Sequence, residues 1–183
     1  MDTNQAAACG RHSHSPHGGR KIFIAGQVVL RISATAIAVA ATCLMATSKQ
    51  STDFFGIPIR AEYSYSPAFV FFLYANGIAS VISLVSLFLV FVGHNKGSKT
   101  RNYFFLFLLD LIVMALVMGA AAAATAIGYV GVYGNAHTGW MPICDHVGKF
   151  CHRVTASFIC SYLVLFVYLI LIVLSAYKSG QTQ

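Results

Sequence analysis

Polar and apolar positions along the chain separate into four long apolar runs joined by polar segments. The runs are Ile22 to Ala46, Pro67 to Val92, Tyr103 to Gly128 and Val154 to Tyr177. Each exceeds the roughly 20 residues that cross a hydrocarbon core at ~1.5 Å per residue. They predict an all-α membrane protein: a four-transmembrane-helix antiparallel bundle with helices at 22–46, 67–92, 103–128 and 154–177, spanning a membrane domain of residues 22–177. Residues 1–21 are rich in His, Ser, Gly and Ala without apolar periodicity. Such a segment cannot bury enough surface to offset its ordering entropy, so a disordered N-terminal tail is expected. Residues 178–183 form a short C-terminal tail. The first run is read as a retained signal anchor rather than a cleaved signal peptide, because a polar leader precedes it, it exceeds an apolar core of roughly 7 to 15 residues, and Arg31 interrupts it.

Two charged positions break the apolar pattern, Arg31 in the first run and Asp110 in the third. At the centre of a spanning helix each costs roughly 2.5 to 3.5 kcal/mol, which favours pairing them. With both N-terminal helix ends on one side, Arg31 follows Arg20 by 11 residues and Asp110 follows Arg101 by 9, about 16 and 14 Å along their helices. The two therefore sit at one depth, and a structural charge pair across a contact between helices one and three is expected. The helical period puts Arg31, Thr35 and Thr42 on one face, and Asp110, Met114, Val117, Ala121 and Gly128 on the other. Arg31 alone has the alternative of snorkelling to the headgroups; Asp110 is too short for that.

Smaller departures carry less specific signals. Gly119, Ala120, Ala124 and Gly128 give small-xxx-small spacings that let helix backbones approach closely, either inside the bundle, the favoured reading, or between copies. Asn76, Ser80 and Ser83 form a polar stripe on helix two, read as interhelical hydrogen bonding in preference to a pore lining. The loop between runs three and four holds Cys144 and Cys151, seven apart. On an oxidising side they suit a disulfide; zinc with His137, His146 and His152 is the rival, but the spacing matches no standard finger. Trp140 is read as the anchor of this loop at the membrane interface. In the tail, His12, His14 and His17 lack fixed geometry for a metal, Cys9 is a candidate for palmitoylation or a plain thiol, and Ser15 precedes a proline in a weak phosphorylation context.

Composition agrees with the pattern: 57% of the 183 residues are hydrophobic and 9% charged, against roughly 25% charged in a soluble domain. The net charge of +7 is not a nucleic-acid signal, because the bases cluster beside the apolar runs. Arg11, Arg20, Lys21, Lys96, Lys99, Arg101 and Lys178 fall on one side; Lys49, Arg60, Lys149 and Arg153 fall on the other with Asp53, Glu62 and Asp145. This bias places both termini in the cytosol. No nucleophile-base-acid set, phosphate loop or zinc-hydrolase motif occurs, so neither enzyme activity nor a cofactor is expected.

The chain resembles the plant Casparian strip membrane domain proteins and their CASP-like relatives, grouped with MARVEL-type four-helix membrane proteins. The resemblance rests on Arg31 within VVLRISATAIAVAATCLMATS, Asp110 within FLFLLDLIVMALVMGAAAAATAI, the segment AEYSYSPAFVFFLYANGIAS, and the loop GWMPICDHVGKFCHRV. Its first outer loop lacks the Phe-rich signature of strip-forming members, which aligns it with the CASP-like relatives. The resemblance implies a multi-pass plasma-membrane scaffold that associates with itself, as a homodimer or larger assembly, and with related chains, and that recruits cell-wall-modifying enzymes. The alternative is a small proton or ion channel or transporter using Asp110 and Arg31; a membrane oxidoreductase using Cys144 and Cys151 ranks last for want of a CxxC or ligand set.

Overall fold

In lipid every backbone N–H and C=O must find a partner within the protein, and a long apolar chain meets that demand as helix. A computed structural model describes residues 16–54, 57–96 and 100–180. Its elements are α1 (Pro16–Ala46), α2 (Pro67–Lys96), α3 (Thr100–Tyr133) and α4 (Gly148–Gly180), with a hairpin of β1 (Lys49–Phe54) and β2 (Ile57–Glu62) between α1 and α2. All four helices contain a stretch long and apolar enough to cross a membrane: Ile22–Ala46, Pro67–Phe91, Phe104–Tyr133 and Gly148–Lys178.

Helix ends differ from the sequence expectation: α2 runs to Lys96 instead of 92, α3 starts at Thr100 instead of 103 and α4 runs to Gly180, inside the expected tail, while three other ends shift by five or six residues. The helix α1 begins at Pro16, inside the stretch read as tail; proline suits a first helical position, where its missing N–H would be unpaired anyway. Residues 1–15, with Cys9, His12, His14 and Ser15, lie outside the described residues, as do 181–183. At the opposite end α3 runs past Gly128 to Tyr133 and α4 starts at Gly148, before Val154. The stop of α3 is Gly134, whose φ of 67° is the left-handed conformation and whose N–H donates to Val130 O at 2.8 Å.

The hairpin was not foreseen. Its strands pair antiparallel from Lys49 with Glu62 to Phe54 with Ile57. Pro58 is tolerated because each strand of a two-stranded ribbon is an edge. The hairpin is tied to the start of α4: the Phe150 N–H donates to Gln50 Oε1 at 2.9 Å, and Arg153 Nη1 donates to Thr47 O at 3.0 Å. We call this the capped end, and the opposite one the termini end.

Buried positions recur in alternating steps of three and four. On α1 they are Gln27, Arg31, Ala34, Ala38, Ala41 and Met45; on α2, Phe69, Phe72, Asn76, Ala79, Ser83 and Ser86; on α3, Leu106, Asp110, Val113, Val117, Ala120 and Ala124, with Ala75 and Ala121 buried beside this row. That 3.5-residue seam is the pattern of left-handed bundles crossing near +20°. Small and polar residues predominate in the seam outside the capped end, where Met45, Phe69 and Phe72 are buried, while Phe88, Phe91, Ile112 and Phe166 point outward. The distribution follows from lipid as solvent: no hydrophobic force drives large apolar side chains inward, so they can face either way, and packing contact holds the helices together.

Candidate functional site

Within the bundle α1 packs against α2 and α4, and α3 against α2 and α4. The pairs α1 with α3 and α2 with α4 lie across the diagonals. Polar side chains cross both.

On the first diagonal Arg31 grips Asp110 in a two-pronged fork, Nη1 to Oδ1 at 3.0 Å and Nη2 to Oδ2 at 2.7 Å. The two residues are 0% and 1% exposed. A direct contact of helices one and three was expected, and that part needs correction: the helices face each other across the bundle centre, and the length of the arginine side chain closes the gap. The expected polar face of α1 is also displaced. Thr35 and Thr42 are only partly buried, and each bonds back to its own helix, to Arg31 O at 2.8 Å and Ala38 O at 2.9 Å. On α3, Asp110, Val117 and Ala121 are buried, and Met114 and Gly128 partly so.

On the second diagonal Ser161 Oγ donates to Asn76 Oδ1 at 3.1 Å, and the Tyr168 hydroxyl donates to Ala79 O at 3.1 Å. Asn76 also donates to Phe72 O at 3.0 Å. Ser83 lies 3.5 Å from Arg31 O, the outer limit of a hydrogen bond. Ser80 does not join the network, since its hydroxyl bonds Gly77 O of its own helix at 2.7 Å. Four members escaped sequence reasoning: Gln27, Ser161, Tyr168 and Ser175, the last accepting from Gln27 Nε2 at 3.3 Å. Gln27 carried a readable signal, a polar residue one turn before Arg31 in an apolar run.

The row of small residues on α3 divides. Ala120 and Ala124 are fully buried, whereas Gly119 faces outward. A Cβ on Gly128 would sit 2.7 Å from Phe158 Cε2, so the missing side chain is what lets α4 approach here. Beside this contact an apolar cavity of about 280 Å³ opens between α3 and α4, lined by Tyr133, Phe150, Val154 and Phe158 among others.

At the capped end Cys144 and Cys151 are joined as a disulfide, so their thiolates are not open to zinc, and no group of three or more His, Cys, Asp or Glu among the described residues is placed to hold a metal. Trp140 closes the turn after α3 through its backbone, exchanging hydrogen bonds with Asn135 at 2.9 and 3.1 Å. The residue is 60% exposed. Outside the spans, Lys49 Nζ lies 2.8 Å from Glu62 Oε1. The hydrogen bond between them raises the Lys49 pKa and lowers that of Glu62.

Residues 20–167 match the Casparian strip membrane protein domain. The chain is 52% identical over 171 residues to CASP-like protein 1F2 of Populus trichocarpa, covering 93% of this chain and 94% of that one. It is 47% identical over 168 residues to CASP-like protein 1F1 of Vitis vinifera, with 92% and 82% covered. CASP-like protein 1C1 of Arabidopsis thaliana shares 36% over 150 residues, with 82% and 87% covered. No solved structure matches.

Proposed function

Because the chain belongs to the Casparian strip membrane protein domain family, we propose that it is a non-enzymatic scaffold of the plasma membrane, with both termini in the cytosol, that associates with itself and with related chains. The observation that carries this reading is the closed pairing of Arg31 with Asp110. The guanidinium and carboxylate neutralise each other out of contact with solvent, so neither is free to bind an ion or work on a substrate. The Lys/Arg bias supports the topology. The outward face of α3 supports association: Ala115, Gly119, Ala122, Ala123 and Ala126 are all exposed and all small, which lets a second copy come close. Cell-wall-modifying enzymes, as recruited partners, would meet the capped end.

Gly119 offers a clean test, because a Cβ there meets nothing within 4 Å. Gly119→Leu should leave the fold intact yet reduce crosslinked dimers and larger species in a native membrane, and speed single-particle diffusion. Wild-type protein that diffuses as a monomer at native expression would overturn the scaffold. Reconstituted vesicles should show no proton or ion flux; flux abolished by Asp110→Asn would replace this reading with a transporter.

A further inference from the structure

Three buried polar atoms have no hydrogen-bond partner among the described residues: Nε of Arg31, Oε1 of Gln27 and Oγ of Ser86. The three residues are at most 1% exposed, and they come from neighbouring positions in the seam. Gln27 lies one turn before Arg31 on α1, and helical side chains lean toward their own N-terminus, so the Arg31 stem points to that level. Ser83 meets Arg31 O, and Ser86 follows it by one turn on a helix of opposite direction, which brings it to the Gln27 level as well. Ser175 of α4 reaches the same level through its bond to Gln27. Leu106 of α3 is buried one turn before Asp110, the same step toward the termini end.

The donors and acceptors define what fits among them. Arg31 Nε–H can only donate, Gln27 Oε1 can only accept, and the Ser86 hydroxyl can do either. An occupant must therefore accept and donate at once, which excludes a bare metal cation, an ammonium and a halide. It must also be neutral, because Asp110 already cancels Arg31 and any further buried charge would stand uncompensated. It must be small, since Gln27, Arg31 and Ser86 are at most 1% exposed and leave no opening to solvent. We propose that one buried water molecule is bound in this layer, accepting from Arg31 Nε–H and hydrogen-bonding Gln27 Oε1 and Ser86 Oγ. Three bonds are the usual complement of a buried water. The chain Ser175, Gln27, water, Arg31, Asp110 then links α4, α1 and α3, with Ser86 adding α2, so a single solvent molecule joins the polar contacts of all four helices.

The test uses the full chain in lipid nanodiscs, labelled with nitrogen-15 arginine, with the other arginines replaced by lysine so that one Nε–H resonance remains. That resonance should show a cross-peak to water with the sign of dipolar transfer. In Ser86→Leu, where the larger side chain occupies the layer, the cross-peak should disappear while the Nε–H resonance persists. Three results with the Ser86-containing protein would overturn the site. They are no water cross-peak in the unsubstituted layer, a peak with the sign of chemical exchange, which means contact with bulk solvent, or a scalar coupling across a direct bond from Nε–H to the Gln27 carbonyl. A dipolar peak unchanged in folded Ser86→Leu would do the same. Should Ser86→Leu not fold, the Ser86-containing protein decides the question by itself.

Discussion

Near the level of Arg31 and Asp110 the interior of the bundle holds a guanidinium, a carboxylate, an amide and hydroxyl groups among buried Leu106, Val113 and Leu171. Some turns away, at the capped end, it consists of Met45, Phe69, Phe72, Ala121, Ala124, Phe150 and Phe158. There Phe158 meets Phe72 edge-on with ring centres 5.5 Å apart, and Phe69 at 6.1 Å, the tilted arrangements that aromatic quadrupoles favour. Both solutions answer one problem, that lipid supplies no hydrophobic force to bring helices together. The termini end answers it with directional polar bonds across the diagonals. The capped end answers it with close contact, and then adds a disulfide and a hairpin where the chain leaves the lipid. The first kind of adhesion is lost when one partner goes; the second erodes by degrees.

The sharpest way to break that contrast is to remove one charge. Arg31→Ala or Asp110→Ala leaves its partner buried and unpaired, which should cost about 3 to 5 kcal/mol, enough to exhaust most of a marginal stability. Removing both, as Arg31→Met with Asp110→Leu, should cost much less, and the swap Arg31→Asp with Asp110→Arg should recover part of the loss. Thermal unfolding in nanodiscs and the fraction of protein reaching the cell surface read both effects. Single variants that match wild type in both would show that the polar half does not depend on its pair.

At the capped end the disulfide comes next in size. Replacing Cys144 and Cys151 by serine reopens a loop with a sequence separation of 7, worth about 2 to 3 kcal/mol in the chain-entropy account. Denaturant titration with and without reductant should reproduce that difference in wild type and show none in the variant. Non-reducing digestion should yield the linked peptide.

Gly128→Ala probes the close contact itself. Its new methyl would press on Phe158, a ring held by Phe69 and Phe72, and overpacking of this kind costs about 1 to 3 kcal/mol. Gly119→Ala, into open space, is the matched control and should be neutral or slightly stabilising. If the two behave alike, α3 and α4 are not close-packed at that point.

The smallest expected effect belongs to the hairpin. Glu62 has a lowered pKa, so its contribution is present above the ordinary value of 4.5 and is lost as pH falls through the lowered one. Lys49 has a raised pKa, so its contribution is present below 10.5 and is lost as pH rises through the raised one. The protection of β1 and β2 amides against exchange, taken relative to the intrinsic exchange rate at each pH, should be highest between those limits and should fall on either side. Lys49→Ala should flatten the acid limb without moving the unfolding of the helices.

The legible parts of the sequence were those where lipid punishes error. Span number and approximate position follow from run length, and the Arg31 with Asp110 pairing from the cost of isolated charge. Face assignment was harder, because both faces of a membrane helix are apolar: Gly119 neighbours buried Ala120 yet faces outward, and Ser80 neighbours buried Ser83 yet is only half-buried and bonds its own helix. Thr35 and Thr42 misled because a threonine in a helix can satisfy itself on the preceding turn. The alternating three-and-four spacing from Gln27 to Met45 was the stronger signal, and it would have brought Gln27 into the network. The hairpin lay outside reach for another reason. Its strands, KQSTDF and IPIRAE, carry few β-branched residues and a proline, and their pairing relies on the helix ends that hold them together.

The diagonal salt bridge also fixes an order of events during synthesis. Arg31 leaves the ribosome 79 residues ahead of Asp110, a lag of about 4 to 16 s at ~5–20 residues per second. Within that interval α1 and α2 are completed, yet no membrane-spanning stretch made so far holds a carboxylate to pair with the guanidinium. It must wait near the headgroups or in the insertion machinery until α3 arrives. A nascent chain that stalls before residue 110 therefore exposes a cationic defect to the membrane, and the same bond that seals the finished bundle reports, by its absence, that the bundle is unfinished.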